Sequence, residues 1–219
     1  MTAPSAPSSY TYTIGSGPYS WTVGAWTQDT DCTYTETLTM SPTASWISIS
    51  GRTIKVVTTD TSLHGTSTTF TVTTTLDDTD GTNNNGYSFT ITLSNPCRTA
   101  TMESPTLSNI SVDDGSSATA TFTDAGDTYS TDYGNKAFCG ARTFTIEDTS
   151  GNSVSWLSVA NTSGYTYTIT AAPTSTDTEL QTTHNVRLKV VSDDYSSYQS
   201  AITVSFTVTV ATPSCNCAL

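Results

Sequence analysis

A chain of 219 residues holds one large domain or two of about 100 residues each, so length leaves the domain count open. Its 19 acidic against 7 basic residues give a formal net charge of −12. That sign excludes partners gripped through phosphates: nucleic acid needs Lys and Arg, and an anionic membrane surface repels such a chain.

Thr, Ser and Tyr are abundant and charged residues make up only 12%. Such residues suit pleated, half-buried surfaces, and no window shows the apolar spacing of an amphipathic helix, so the fold class is all-β. No run approaches the ~18 apolar residues of a membrane span, so membrane insertion is not expected.

In chain order, residues 1–7 lack the basic start and apolar stretch of a secretory signal, and the last residues carry no anchor signal. A processed form, or a piece of something longer, is the expectation. Residues 10–14 and 19–23 then read as strands split by the turn Gly15-Ser16-Gly17-Pro18. Next come Ser45-Trp46-Ile47-Ser48-Ile49 and the alternating run Thr69-Phe70-Thr71-Val72-Thr73. The acidic, glycine-bearing stretch 77–86 reads as a polar hairpin loop, ahead of Ser88-Phe89-Thr90-Ile91-Thr92-Leu93 and Asn95-Pro96-Cys97.

The same order returns. Ser155-Trp156-Leu157-Ser158-Val159, Asn185-Val186-Arg187-Leu188-Lys189-Val190, Asp193-Asp194, the strand 205–210 and Pro213-Ser214-Cys215 repeat the series. Five features in one order make the chain a duplication. Two domains are expected, 1–97 and 98–219, with a linker near 98–105 and opening strands at 107–112 and 118–123. Short strands between Gly, Asp, Asn and Ser turns suit a sandwich of about seven strands per copy.

At these residues the chain resembles the dystroglycan-type cadherin-like, immunoglobulin-like repeats. The resemblance rests on Phe122-Thr123-Asp124 with Asp127, Trp156-Leu157-Ser158, Tyr167-Thr168-Ile169, Asp193-Asp194 and the strand Phe206-Thr207-Val208-Thr209-Val210. The first copy departs from it, with Trp26-Thr27-Gln28-Asp29 in place of the Phe-Thr-Asp element. The resemblance implies two tandem immunoglobulin-like β-sandwiches of an extracellular or cell-surface protein, and leaves the ligand open.

The five cysteines lack zinc-site spacing and suggest disulfides in an oxidising compartment. If the resemblance holds, Cys32 and Cys139 follow the second strand at one pole, and Cys97 and Cys215 follow the last strand at the other. That placement implies an interdomain pair Cys97–Cys139, leaving Cys32 and Cys215 to link subunits and Cys217 as the odd thiol. If residues 33–39 form the second strand instead, pairs within each copy, Cys32–Cys97 and Cys139–Cys215, become feasible. Sequence alone leaves connectivity open.

Asn109-Ile110-Ser111 and Asn161-Thr162-Ser163 are N-glycosylation acceptors, and exposed Thr faces would suit O-glycans. Asp29, Asp31, Asp77, Asp78 and Asp80 in one copy, and Asp124, Asp127, Asp193 and Asp194 in the other, gather in loops expected at one pole. Converging carboxylates of this kind could hold Ca2+; the competing reading is that they make turns. No other cofactor is expected.

Trp46 and Trp156 are expected in the two cores. Tyr12, Tyr19, Trp21 and Trp26, without counterparts in the second copy, read as core or interface packing or as a sugar-stacking platform. His64 and His184 fall before equivalent strands, which reads as a loop position rather than an active site. No nucleophile elbow, zincin helix or phosphate loop is present, and Asp148-Thr149-Ser150-Gly151 reads as a turn, so no enzyme is expected. The function expected is a fibre or surface-appendage subunit that self-associates head to tail into a linear polymer and carries glycans. The alternative is an adhesive or carbohydrate-binding ectodomain.

Overall fold

The computed structural model describes residues 9–25, 35–78, 81–174 and 182–211, the side chains of residues 35, 76–78 and 81–85 excepted. The chain divides into two compact units, Met1–Pro96 and Cys97–Leu219. The division precedes Cys97, one residue earlier than the repeat alone suggests.

The first unit contains β1 (Ser9–Thr13), β2 (Tyr19–Thr22), β3 (Thr35–Ser41), β4 (Ile47–Ser50), β5 (Thr53–Val56), β6 (Ser67–Asp78) and β7 (Gly81–Ser94). They form a four-stranded sheet in the order β1-β7-β6-β3 and a three-stranded sheet in the order β2-β5-β4. β1 runs parallel to β7, and the other pairs are antiparallel. This is an immunoglobulin-like sandwich.

Period-two alternation explains how the sheets face each other. Phe70 and Val72 of β6, and Phe89, Ile91 and Leu93 of β7, point inward onto Trp46, Ile54 and Val56. Trp46 meets the Phe70 ring edge to face, with centroids 5.4 Å apart. Gly15 and Gly17, at φ 86° and 90°, make the β1–β2 turn, and the buried Tyr12 hydroxyl donates to Gly17 O at 2.8 Å.

The stretch 77–86 is not a hairpin loop. Pairing of β6 with β7 continues through Thr73↔Gly86 and Leu76↔Asn83 to Asp78↔Gly81. The ladder is made by backbone groups, so Asn and Asp here extend it despite poor strand propensity.

The second unit repeats the plan with β8 (Ile110–Asp113), β9 (Ala118–Thr123), β10 (Arg142–Asp148), β11 (Leu157–Ser163), β12 (Thr166–Ala171), β13 (Thr182–Ser192) and β14 (Ile202–Ala211). Its sheets are ordered β8-β14-β13-β10 and β9-β12-β11, the same arrangement strand for strand. Equivalence extends to single hydrogen bonds: Val57 N–H donates to Trp46 O, and Ala172 N–H donates to Trp156 O. Trp156 is buried like Trp46, each one residue ahead of its strand.

Three expectations shift. The strand expected at 107–112 starts at Ile110, while Leu107 packs on the core from outside it. A six-residue helix, α1 (Thr128–Tyr133), stands between β9 and β10 where none was expected. One turn and a half is too short to show helical periodicity. Only its caps signal it: Asp127 at the N-cap with Ser130, and Gly134 at φ 70° after the last turn. The two histidines are not equivalent. His64 precedes β6 and accepts from Asn95 N–H at 2.9 Å, whereas His184 lies within β13 with its ring 5.2 Å from that of Trp156.

Candidate functional site

The most heavily built region is one end of the second unit, where the β9–β10 connection, the β13–β14 loop and the run following Cys97 meet. Cys97 Sγ is bonded to Cys139 Sγ with Cα atoms 5.4 Å apart. Both cysteines are buried in a cluster with Ala100 and Tyr129, against which Phe138 and Tyr195 pack. The pair is the one expected; because Cys97 is the first residue of the second unit, the bond lies inside that unit rather than between the two. The last strand of the first copy ends at Ser94, and its cysteine belongs to the next sandwich. With Cys97 and Cys139 joined, the pairs Cys32–Cys97 and Cys139–Cys215 do not form. Cys32, Cys215 and Cys217 lie outside the described residues.

Hydrogen bonds fasten the same run along the connection. Thr101 N–H donates to Thr128 Oγ1, Thr128 N–H to Thr101 O, and Glu103 N–H to Gly126 O. From the β13–β14 loop, the buried Gln199 amide donates to Cys97 O at 3.1 Å, and Arg98 sits 4.8 Å from the Tyr198 ring centroid. Gly140, at φ +83°, follows Cys139 directly, and a Cβ there would meet the Asp194 carboxylate.

Beneath this cap, Asp124 and Asp127 lie close together. They converge on Arg142, the first residue of β10. Arg142 Nη1 donates to Asp124 Oδ2 at 3.0 Å and Nη2 to Asp127 Oδ2 at 2.9 Å, with side-chain exposures of 3%, 6% and 0% for Arg142, Asp124 and Asp127. The remaining oxygens are also used: Asp124 Oδ1 accepts from Gly126 N–H, and Asp127 Oδ1 accepts from Ser130 N–H. The Arg142 guanidinium thus pairs with both buried carboxylates. Arg142 is the residue that inspection of the carboxylates misses. In a chain with only 7 Lys and Arg, an Arg on the inward-facing register of an alternating strand, in line with Phe144 and Ile146, is the signal that could reveal it.

The other acidic candidates scatter. Asp193 is exposed and its Oδ1 accepts from Thr143 Oγ1 at 2.7 Å; Asp194 is exposed beside Gly140. Asp29, Asp31 and Asp80 lie outside the described residues, as do the side chains of Asp77 and Asp78. Among the described residues, no three His, Cys, Asp or Glu side chains gather to hold a metal. Asp148 belongs to a turn: its carboxylate accepts from the Asn152 side chain, Asn152 N–H and Ser150 N–H, and these bonds hold it below the usual carboxylate range.

Both sequon asparagines are exposed. Asn109 Oδ1 accepts from Thr207 N–H at 3.0 Å, and Asn161 Nδ2 donates to Gly164 O at 2.8 Å in the β11–β12 hairpin. In the first unit, Tyr12 is fully buried and belongs to the core, while Trp26 lies outside the described residues. Tyr10 and Tyr19 stack at 4.0 Å, Trp21 meets Phe89 edge to face at 5.1 Å, and a cleft of about 140 Å³ opens among them. Tyr87 lies near this group, and burial raises its pKa.

The outer face of β6 and β7 is a ladder of hydroxyls. Ser67 pairs with Thr92, Thr69 with Thr90 and Thr71 with Ser88, at 3.1, 2.9 and 2.9 Å. No helix among the described residues is long and apolar enough to cross a membrane.

No protein-family profile and no curated protein sequence matches the chain. Among solved structures it is similar to an endo-fucoidan hydrolase of glycoside hydrolase family 107 at 15% identity, covering 95% of this chain and 28% of that one, with a TM-score of 0.32. It is similar to domains 4 and 5 of the S-layer protein SbsC at 14% identity, covering 80% of this chain and 70% of that one, with a TM-score of 0.35. It is similar to cadherin-like domains 1 to 4 of zebrafish RET at 11% identity, covering 82% of this chain and 41% of that one, with a TM-score of 0.32. The chain spans about a quarter of the length of the first of these. Such scores carry no chemistry across; the immunoglobulin-like assignment stands on strand order and register.

Proposed function

We propose that this chain is a non-enzymatic extracellular structural module, a subunit of a fibre or surface appendage that stacks head to tail and bears tension. The observation that carries this reading is the position of the Cys97–Cys139 bond. Tension passing along the chain from the first unit enters the second at Cys97 and crosses directly to Cys139, next to β10. Everything between them, including β8, β9 and α1, lies inside a closed covalent loop and is shielded from extension.

Three further features support the reading. The resemblance to dystroglycan-type repeats points to large surface proteins, a disulfide suits an oxidising compartment, and the Asn109 and Asn161 sequons are exposed for N-glycans. The hydroxyl ladder would accept O-glycans, which would cover sheet edges and faces that otherwise invite strand addition.

Single-molecule pulling tests the idea. The second unit should release less length oxidised than reduced, by about 140 Å for a 42-residue separation at roughly 3.3–3.6 Å per residue. Equal lengths in both states would remove the mechanical role. Electron micrographs of native material should show linear particles; dispersed monomers would count against polymerisation.

A second reading, a carbohydrate-binding ectodomain, is favoured by the Tyr10, Tyr19 and Trp21 cleft alone. A glycan array distinguishes the two, since binding there belongs to the adhesive reading.

A further inference from the structure

Two equivalent positions behave differently in the two units. Counting back along each edge strand from the matching rows Ser41–Thr71 and Glu147–Arg187 brings Glu36 level with Arg142. Counting back from Val56, which pairs with Ile47, and from Ala171, which pairs with Leu157, brings Arg52 level with Tyr167. In the first unit these positions close on each other, and Arg52 Nε donates to Glu36 Oε2 at 3.0 Å. In the second they part. Arg142 turns to Asp124 and Asp127, Tyr167 stacks on Phe122 with centroids 5.5 Å apart, and both line a hollow of about 260 Å³.

The hollow is built from buried polar groups. Arg142 and Asp124, only 8% and 4% exposed, line it with Tyr165, Gly140 and Gly164. Both Nη atoms of Arg142 are engaged, but its Nε–H has no acceptor among the described residues. A buried donor left unmade is costly, so this position favours an oxygen acceptor that the described chain does not supply. Tyr165 stands 43% exposed beside it, with Lys136 Nζ 5.5 Å from its ring centroid.

A second hollow of about 490 Å³ shares Asp124 with the first. Lys136 lines it, together with Ser104, Thr106, Ser108, Thr121 and Thr123, whose hydroxyls can each donate and accept. The charges nearby offer an anion nothing. Arg142 and Lys136 balance Asp124 and Asp127, and Asp194 lies beside Gly140.

A ligand suited to this place carries oxygen acceptors, an apolar face for an exposed ring, and no negative charge. A pyranose has all three: C–H groups for Tyr165 and hydroxyl oxygens for the Arg142 Nε–H.

We propose that the hollow lined by Arg142, Tyr165 and Tyr167 binds one ring of an uncharged saccharide, and that the hydroxyl-lined trough beside it takes the next. This rests on the carbohydrate-binding reading, and places a sugar in the second unit.

NMR titration of the labelled full-length chain with glucose, galactose, mannose, N-acetylglucosamine and glucuronate tests the site at the Arg142 Nε–H and the Tyr165 ring. At least one neutral sugar is expected to shift both signals saturably, with a Kd in roughly the mM range. Tyr165→Ala should weaken that binding by about tenfold, the loss of one ring contact, while the melting of the second unit stays in place. Glucuronate should bind more weakly than glucose. Shifts confined to Tyr19 and Trp21 would overturn the proposal and spare the carbohydrate-binding reading, by giving the sugar to the first unit. No saturable shift anywhere would sink both. Unchanged affinity in Tyr165→Ala, or glucuronate binding as tightly as glucose, would also overturn the proposal, since neither the ring nor the charge balance would then select the ligand.

Discussion

One row of side chains runs across the outer face of the four-stranded sheet in each unit. In the first it reads Ser41, Thr71 and Ser88; in the second, at the same register, it reads Glu147, Arg187 and Ser205. Thr71 pairs with Ser88 at 2.9 Å through hydroxyls, whereas Arg187 meets Glu147 at 2.9 Å through opposite charges. The contrast deepens in the second unit, where Arg142 binds two buried carboxylates and a buried disulfide joins Cys97 to Cys139. Among the described residues, the first unit relies instead on aromatic contacts such as Trp46–Phe70 and Phe70–Phe89, and on the Arg52–Glu36 pair. Duplicated backbones need only conserve the alternation that buries one face. How the rest is neutralised is free to diverge.

Breaking the buried network should separate the units most sharply. Arg142→Ala leaves Asp124 and Asp127 charged and unpaired in the interior. It should cost the second unit about 3–5 kcal/mol and melt it well before the first in a calorimetric scan. A single unshifted transition would show that the network contributes little.

Removing the staple comes next. Replacing Cys97 and Cys139 with Ala frees a loop closed over a separation of 42 residues, and should lower stability of the second unit by about 2–4 kcal/mol in denaturant titrations, leaving the first unchanged.

The outer rows differ by less. Thr71→Ala should cost about 0.2–1 kcal/mol regardless of salt. Glu147→Gln should cost up to about 1 kcal/mol at low ionic strength and almost nothing in 1 M salt, where the Debye length is roughly 3 Å. Equal salt dependence of the two variants would erase the distinction drawn between the faces.

The smallest effect concerns acid. Asp148 has a folded pKa lowered chiefly by the Asn152 side chain, so its contribution is present above the unfolded pKa and fades as pH falls through the folded value. In Asn152→Ala, the Asp148 carboxyl should titrate at higher pH by NMR; an unchanged midpoint would remove Asn152 as the cause.

Much of this architecture was legible in the residues. Phe70 with Val72, and Phe206 with Val208 and Val210, announce their strands because a half-buried strand must alternate, and Trp46 and Trp156 mark equivalent core positions for the same reason. Polarity misled at 77–86, where the β6–β7 ladder continues regardless of side chain. The caps of α1 were visible but too brief to outweigh the β pattern around them.

What the sequence determined by itself is whatever depends on near neighbours: strand periodicity, turn glycines, the repeat, and hence two all-β sandwiches. Tertiary structure alone decided which distant groups meet. Asp124 and Asp127 read in the sequence as candidate ligands or turn makers, and packing brings both onto Arg142; Cys97 read as the tail of one unit, and its sulfur is bonded in the interior of the next. Charge pairing and cross-linking depend on distance in space, and the chain order of polar residues leaves that distance unspecified until the sheets have packed.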